Sequence, residues 1–454
     1  MRVLVVAPQP YFQERGTPIA VRLLVQALGE RGDSVDLLVY HEGHDVATSG
    51  VTLHRIRPRP SVRGIRPGFS LKKVYCDLFL IPRIDRMLRG GRYDLVHATE
   101  EGVFLAHWLC RRHKIPFVYD MDSSMSHQML DRHGWLAPLR PLLESAEARA
   151  MRAAAAVVPV CEALADVARR HGVIDPFILK DVSLVDGVGT GSQSGGAANG
   201  DPASGSKAAG SPAAVTESEA TIPGSTSVSG SVPAATADTT AIPPVIEVRA
   251  GTDWRDRTVV MYIGNLEPYQ GIDLLLESFR LVHAENPSAG LVVVGGVPAD
   301  VEKYRRRAKD LGIAEATRFL GQQPVAHVDA YMKQADLLVS PRIHGQNTPM
   351  KVYSYLDSGV AVLATDLPTH TQVMDRTISG LAAPSSDPFA REMLTLLGSP
   401  ERRKELATRA REMIRREHSY EVFRARVHEL YDRLEREISS NTARAAEGLR
   451  VSPR

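Results

Sequence analysis

Over the first third of the chain, apolar residues fall in short unbroken runs set between amphipathic stretches. Val3 to Ala7 is one run and Val35 to Tyr40 another, with shorter versions at Asp94–His97 and Pro116–Tyr119. Runs of this length without polar alternation fit strands covered on both faces. Pro18 to Leu28 keeps a helical period, a further helix separates His97 from Pro116, residues 141–153 form a charged amphipathic helix, and Ala156–Val160 returns to strand. Such alternation predicts a parallel sheet wrapped by helices. The same rhythm resumes later, with strands at Val259–Ile263, Gly290–Gly295, Thr317–Leu320, Asp336–Ser340 and Val360–Ala364 and a helix from Asp273 to Ala284. A last helical stretch covers about residues 399–438, and residues 441–454 form a polar tail expected to be disordered.

Between these halves the pattern stops. Residues 186–244 are mostly Gly, Ser, Ala, Thr and Pro, a composition that cannot bury enough apolar surface to fold. The fold class read from the pattern is α/β, with two similar domains, 1–185 and 245–418, facing across a cleft and a disordered insertion between them. Ligands of such sheets bind beyond the carboxyl ends of the strands, which makes that cleft the expected site.

At 454 residues the chain is long enough for two full cores, and 43% hydrophobic with 24% charged residues is ordinary for a globular protein. A net charge of +2 is too mild to argue for nucleic acid as a partner. No run approaches the roughly 18 apolar residues that span a bilayer. The first residues read as a buried strand rather than a secretion signal, and Cys76, Cys110 and Cys161 have no paired spacing. A reduced, cytoplasmic setting is therefore expected, with no metal site.

The segment Ser340 to Gly359 carries the most chemistry. A strand precedes it and another follows it, with Thr348 expected as N-cap, Pro349 as the first helical residue and Gly359 as the stop. Lys351 then sits in the first turn, where a cation opposes the helix dipole unless an anion docks on the free N–H groups. That spacing predicts a phosphate-sized anion site at the helix start.

Four stretches together resemble the retaining glycosyltransferases of the GT-B fold, group 1 (family 4). They are Arg15-Gly-Thr-Pro-Ile-Ala-Val21 after the first strand, the turn Gly264-Asn-Leu-Glu-Pro-Tyr-Gln-Gly-Ile-Asp273, Ser340 to Gly359, and the region of His418-Ser-Tyr-Glu-Val-Phe423. The resemblance implies two Rossmann-like domains, with residues 419–440 packing back on the first. It also implies a nucleotide-diphosphate sugar as donor substrate and no cofactor. Donor contacts would come from Gly16, Thr17, Gly264, Asn265, Gln270, Gly345, Gln346, Asn347, Thr348, Pro349 and Ser354. The acceptor, a glycan or lipid-linked molecule, would lie near Glu100, Glu101 and Asp122.

This chain departs from the family's pattern at several of these places. Asn265 and Gln270 stand where the family often has Arg and Lys on the diphosphate, and Gln346 and Ser354 stand where it has two glutamates. A His common in the first domain would fall near Asp122. Arg342 and Lys351 are basic residues in reach of the same phosphates, and are read as restoring the missing charge. Asp122, Lys351 and Arg342 are thus the residues assigned to the reaction.

Asp120-Met-Asp122 matches the metal motif of a different glycosyltransferase fold, and a metal is not expected here. The basic run His54 to Arg66, with Lys72 and Lys73, is interspersed with Ile56, Val62, Ile65 and Phe69. Residues 54–73 are therefore a candidate strip for weak peripheral contact with the anionic inner face of a membrane. Two rival functions stay open: a sugar-nucleotide epimerase of the same fold, and a catalytically impaired nucleotide-sugar-binding scaffold.

Overall fold

The computed structural model describes residues 1–13, 16–57, 62–65, 70–132, 138–185, 244–345 and 347–450, with 127–128, 131–132 and 442–450 described by backbone alone. The low-complexity segment, Arg15, Phe69 and Gln346 lie outside the described residues. The first sheet holds β1 (Arg2–Ala7), β2 (Ser34–Val39), β3 (Val51–Arg55), β4 (Leu95–Thr99), β5 (Phe117–Met121) and β6 (Ala156–Pro159). Its order is β3-β2-β1-β4-β5-β6, parallel throughout. Helices α1 (Gly16–Arg31), α2 (Leu71–Leu88), α3 (Gly102–His113), α4 (Met125–Arg132), α5 (Arg140–Ala153) and α6 (Glu162–Arg170) accompany it.

The second sheet repeats the plan. It contains β7 (Thr258–Ile263), β8 (Ala289–Val294), β9 (Thr317–Gly321), β10 (Leu337–Ser340), β11 (Val362–Thr365) and β12 (Gly380–Ala382), in the order β12-β11-β10-β7-β8-β9. The helices are α7 (Ile272–Glu285), α8 (Pro298–Asp310), α9 (Val328–Met332), α10 (Met350–Asp357), α11 (Pro368–Thr371), α12 (Ser386–Leu397), α13 (Pro400–Glu417) and α14 (Tyr420–Arg450). Both sheets are apolar on both faces, because parallel strands need helices on each side. In both, strand order reverses between the first and fourth strands. Those reversals, β1/β4 and β7/β10, are where ligands seat in open sheets. The candidate residues at 16–17, 100–101, 264–271, 341–345 and 347–349 all follow the strands of these two reversals, and Asp122 follows the neighbouring β5.

Three expectations need correction. The last helical stretch is broken at His418, whose φ of −134° leaves the helical region. Its ring packs on Tyr353 at 4.7 Å and Nδ1–H donates to the Asp181 carbonyl at 3.1 Å. The tail expected to be disordered from Asn441 is helical as far as Arg450. The basic strip keeps Arg57, Arg63 and Lys72 exposed but lacks the expected apolar surface: Ile56, Val62 and Ile65 are buried in the first core, and Lys73 is buried against Glu100 and Glu101. The cause is β3 and α2, elements the residue pattern did not suggest. β3 is an edge strand ending in His54 and Arg55, and α2 turns Cys76, Leu80, Ile84 and Leu88 inward.

Helix α14 closes on the first sheet. Phe423, Val427, Leu430, Tyr431 and Leu434 repeat at helical spacing and join the core of β1, β2 and α1. The chain crosses between sheets at 177–185. Phe177 and Leu179 donate to the carbonyls of Val157 and Pro159, then Ser183 donates to His418 and Leu184 to the Ser354 hydroxyl at 3.1 Å.

Candidate active site

Helix α10 begins one residue later than its sequence suggests. Pro349 has ψ of 133°, so it is the N-cap and Met350 is the first helical residue. Thr348 is buried and makes no cap, because a proline at the N-cap brings its own extended backbone there. The first turn of α10 has no side-chain cap, and its leading N–H groups remain available to an anion. A Cβ at Gly16 would stand 3.6 Å from the Met350 sulfur, so the amino ends of α1 and α10 meet across the cleft. The Asn347 amide donates to the Asp122 carbonyl at 3.4 Å in the same place.

Lys351 is half-buried in that first turn. Its Nζ donates to Gln270 Oε1 at 3.0 Å and lies 3.9 Å from the Tyr262 ring centre. Burial and the neighbouring Arg342 hold its pKa well below the ordinary lysine value. Gly271 has φ of +74°, and a Cβ there would come within 1.9 Å of the Pro341 carbonyl. Only glycine lets the 264–271 turn press against the 341–349 loop, and that contact brings Gln270 to Lys351. At Gly264 an added Cβ would crowd the Tyr262 hydroxyl and Lys351 Nζ, at 3.0 and 3.1 Å. Tyr262 donates to the Asn265 carbonyl at 2.6 Å, which fixes the turn, while the Asn265 side chain is exposed.

Arg342 is buried, and burial lowers its pKa. Its Nε donates to the His344 carbonyl at 2.6 Å and its plane lies over Tyr269. It therefore shapes the loop from within, with Gly345 at φ of +134° folded against the guanidinium. The loop is also pinned from below. Thr365 Oγ1 donates to the Arg342 carbonyl at 2.5 Å, and Thr369 Oγ1 donates to the Asn347 carbonyl at 2.7 Å. His370 completes the support: burial drops its pKa to about 3, so it is neutral. One tautomer fits, with Nδ1–H donating to the Thr365 carbonyl and Nε2 accepting from Ser340.

The opposite wall is acidic. Thr17 donates to Glu100 at 3.3 Å, and Lys73 reaches Glu100 at 3.4 Å and pairs with Glu101. Glu100 has φ of +46°, a left-handed backbone seldom taken by a residue other than glycine. Asp122 has its pKa raised well above the usual range by burial and by the charges of Asp120, Glu100 and Asp181. Burial, with Asp120 again, pushes Asp181 up to about 7. Asp181 was missed by sequence reasoning, and Asp120 was weighed there only as half of a metal motif. The contact of Asp181 is set by the crossover, which no local pattern reveals.

The residues expected together are mostly together: Gly16, Thr17, Glu100 and Asp122 on one wall, Gly264, Gln270, Arg342, Asn347 and Lys351 on the other. Ser354 stands apart. It is buried one turn further along α10, and its hydroxyl accepts from Leu184. Among the described residues no group of His, Cys, Asp and Glu has a metal-holding arrangement.

The family model described as "Glycosyl transferases group 1" matches residues 247–413, and that described as "Glycosyl transferase 4-like domain" matches residues 15–176. The chain is 27% identical over 181 residues to phosphatidyl-myo-inositol mannosyltransferase of Mycolicibacterium smegmatis, covering 39% of this chain and 46% of that protein. It thus spans less than half the length of that curated relative. Among solved structures, sucrose-phosphate synthase from Thermosynechococcus elongatus superposes with TM-score 0.67 at 15% identity, covering 96% of this chain and 99% of that one. HepE of Anabaena in complex with UDP gives 0.63 at 12%, covering 95% and 100%. At such identities these two likenesses concern the fold.

Proposed function

This chain belongs to the group 1, family 4 glycosyltransferases of the GT-B fold, and from that premise we propose that it transfers a sugar from a nucleotide-diphosphate donor to a glycolipid, polysaccharide or lipid-linked acceptor, with retention. The observation that carries the reading is the 3.0 Å contact between Lys351 Nζ and Gln270 Oε1. It sits between two strand-order reversals, where the amino ends of α1 and α10 converge. An ammonium at that point offsets the charge that develops on a departing diphosphate. Asp122 and Glu100 face it from the side where an acceptor hydroxyl would enter. Calorimetry with UDP, GDP and ADP, followed by turnover with the matching nucleotide sugars, tests the proposal. It predicts binding of at least one and slow release of that nucleotide from its sugar. Binding without any release would favour the scaffold reading, and no binding would contradict both.

The low pKa of Lys351 gives a second expectation. A bound diphosphate raises that pKa, so binding takes up a proton. Affinity should therefore fall as pH rises through the raised, bound-state value. Titrations near pH 8 in two buffers of different ionisation enthalpy should give apparent enthalpies that differ in the direction of proton uptake; equal enthalpies would contradict it.

A lipid-linked acceptor is supported by the mannosyltransferase relative, whose name specifies phosphatidyl-myo-inositol. It is also supported by α2, which leaves Leu71 (83% exposed), Val74, Tyr75 and Leu78 (60% exposed) on one outward face beside Lys72 and Arg86. A peripheral position on an anionic bilayer would cover that face. Leu71→Glu with Leu78→Glu should reduce co-sedimentation with anionic vesicles by about five-fold or more at low salt. Unchanged sedimentation would remove the membrane contact while leaving the donor site untouched.

A further inference from the structure

Behind the acidic wall, a fully buried histidine links the last helix to the first sheet. His97 lies on β4 between β1 and β5, opposite Val5 and Val118 in the strand register. Its Nδ1 is 2.9 Å from the Tyr431 hydroxyl of α14, and the two rings lie nearly parallel, 17° apart. Its Nε2 is 3.2 Å from Asp120 Oδ2. Asp120 is on β5, two residues before Asp122. We propose that His97 is a positioning residue for the acceptor side: held by Tyr431 of the last helix, it fixes the Asp120 carboxylate beside Asp122, so that α14 completes the site from behind.

Several facts converge on this role. A histidine with no exposure in a parallel sheet is costly unless its ring nitrogens have polar neighbours; here Nδ1 is hydrogen-bonded with the Tyr431 hydroxyl, and Nε2 lies at ion-pair distance from Asp120 without an aligned hydrogen bond. Tyr431 is itself anchored in the core with Leu430 and Leu434, so its hydroxyl has little freedom. Asp120 is the charge that both Asp122 and Asp181 feel. Where Asp120 sits therefore governs which carboxyl of the wall carries a proton. The inference uses the proposed reaction only as the process that Asp120 influences.

The test compares wild type, His97→Leu, His97→Gln and Tyr431→Phe. Each is assayed for affinity toward the nucleoside diphosphate that binds wild type and for its release from the nucleotide sugar. His97→Leu should lower kcat about ten-fold or more while donor KM and nucleotide affinity stay within about two-fold. His97→Gln places an amide N–H within reach of Asp120 and should recover to within about three-fold of wild type. Tyr431→Phe removes one oxygen and should cost about three- to ten-fold in kcat. Equal losses in the Leu and Gln variants would overturn the proposal, as would donor KM rising at unchanged kcat. If His97→Leu does not fold, an unchanged kcat in Tyr431→Phe overturns it alone. A readout independent of turnover is the ring proton in ¹⁵N–¹H spectra of the whole chain. A proton on Nε2 that shifts in Asp120→Asn is expected; a ring carrying its only proton on Nδ1 contradicts the assignment. Failure of the donor reading would show instead as a wild type that binds no nucleotide.

Discussion

Lys351→Ala should lower turnover by about 10²–10³-fold, the loss typical when one preorganised donor is removed from a developing oxyanion. Lys351 has the features such a donor needs. It is half-buried, aimed by Gln270 and Tyr262, and seated in the first turn of α10 where the free N–H groups also point. It opposes the helix dipole and lies beside Arg342, both of which destabilise the empty site. That cost predicts a trade: Lys351→Met should melt at a higher temperature than wild type while losing activity. The linkage has a sign. A lysine whose folded pKa lies below its unfolded value makes stability rise with pH toward the ordinary lysine range, and Lys351→Met should lose that slope. A rescue separates charge from packing. Lys351→Gln combined with Gln270→Lys returns an ammonium to nearly the same point from the facing turn, and should regain about ten-fold or more over Lys351→Gln alone. Steady-state kinetics and thermal melts of the wild type and these four variants check this, and a double variant no better than the single one would count against the charge argument.

Glu147→Ala should cost about 3 kcal/mol or more of stability and remove most transfer activity, although Glu147 is far along the chain from the cleft residues. Its fully buried carboxylate, on α5, accepts from Tyr119 Oη at 3.1 Å, Ser124 Oγ at 3.0 Å, Met125 N at 2.9 Å, and Ser126 through N at 3.1 Å and Oγ at 2.6 Å. Met125 is the first residue of α4, so this carboxylate caps a helix and ties down the chain directly after Asp122. Removing it strands several donors in a dry place. Glu147→Gln keeps one acceptor oxygen and should be milder. Denaturant unfolding reads the stability loss, and nucleoside diphosphate calorimetry should still detect binding to whatever folds, because the donor wall belongs to the other sheet. A Glu147→Ala protein with full stability would contradict this account.

The strands were legible because parallel sheets demand unbroken apolar runs, and ten of these twelve strands have them or nearly so. β3 was not, because an edge strand tolerates Thr52, His54 and Arg55. Helix α2 hid behind its basic residues, its exposed leucines and the internal Pro82. At the site, Lys351 was legible as an electrostatic anomaly, since a cation in a first helical turn asks for an explanation. The exact start of α10 was not, because Thr348-Pro349 is a good cap by type while the ψ of Pro349 decides the boundary. Glu147, Asp181, His97 and Tyr431 left no local signal. Each acts through contacts made only in the folded chain; His97 and Tyr431 are separated by 334 positions.

The central claim is that the amino end of α10, with Lys351, holds the diphosphate of a sugar donor. A crystal structure of the protein with the nucleoside diphosphate that binds it tests this most directly. The account predicts phosphate oxygens within hydrogen-bond reach of Lys351 Nζ and of the first α10 amides, with Gly16 and Thr17 on the facing side. A nucleotide bound elsewhere, with Lys351 still donating only to Gln270, would contradict it.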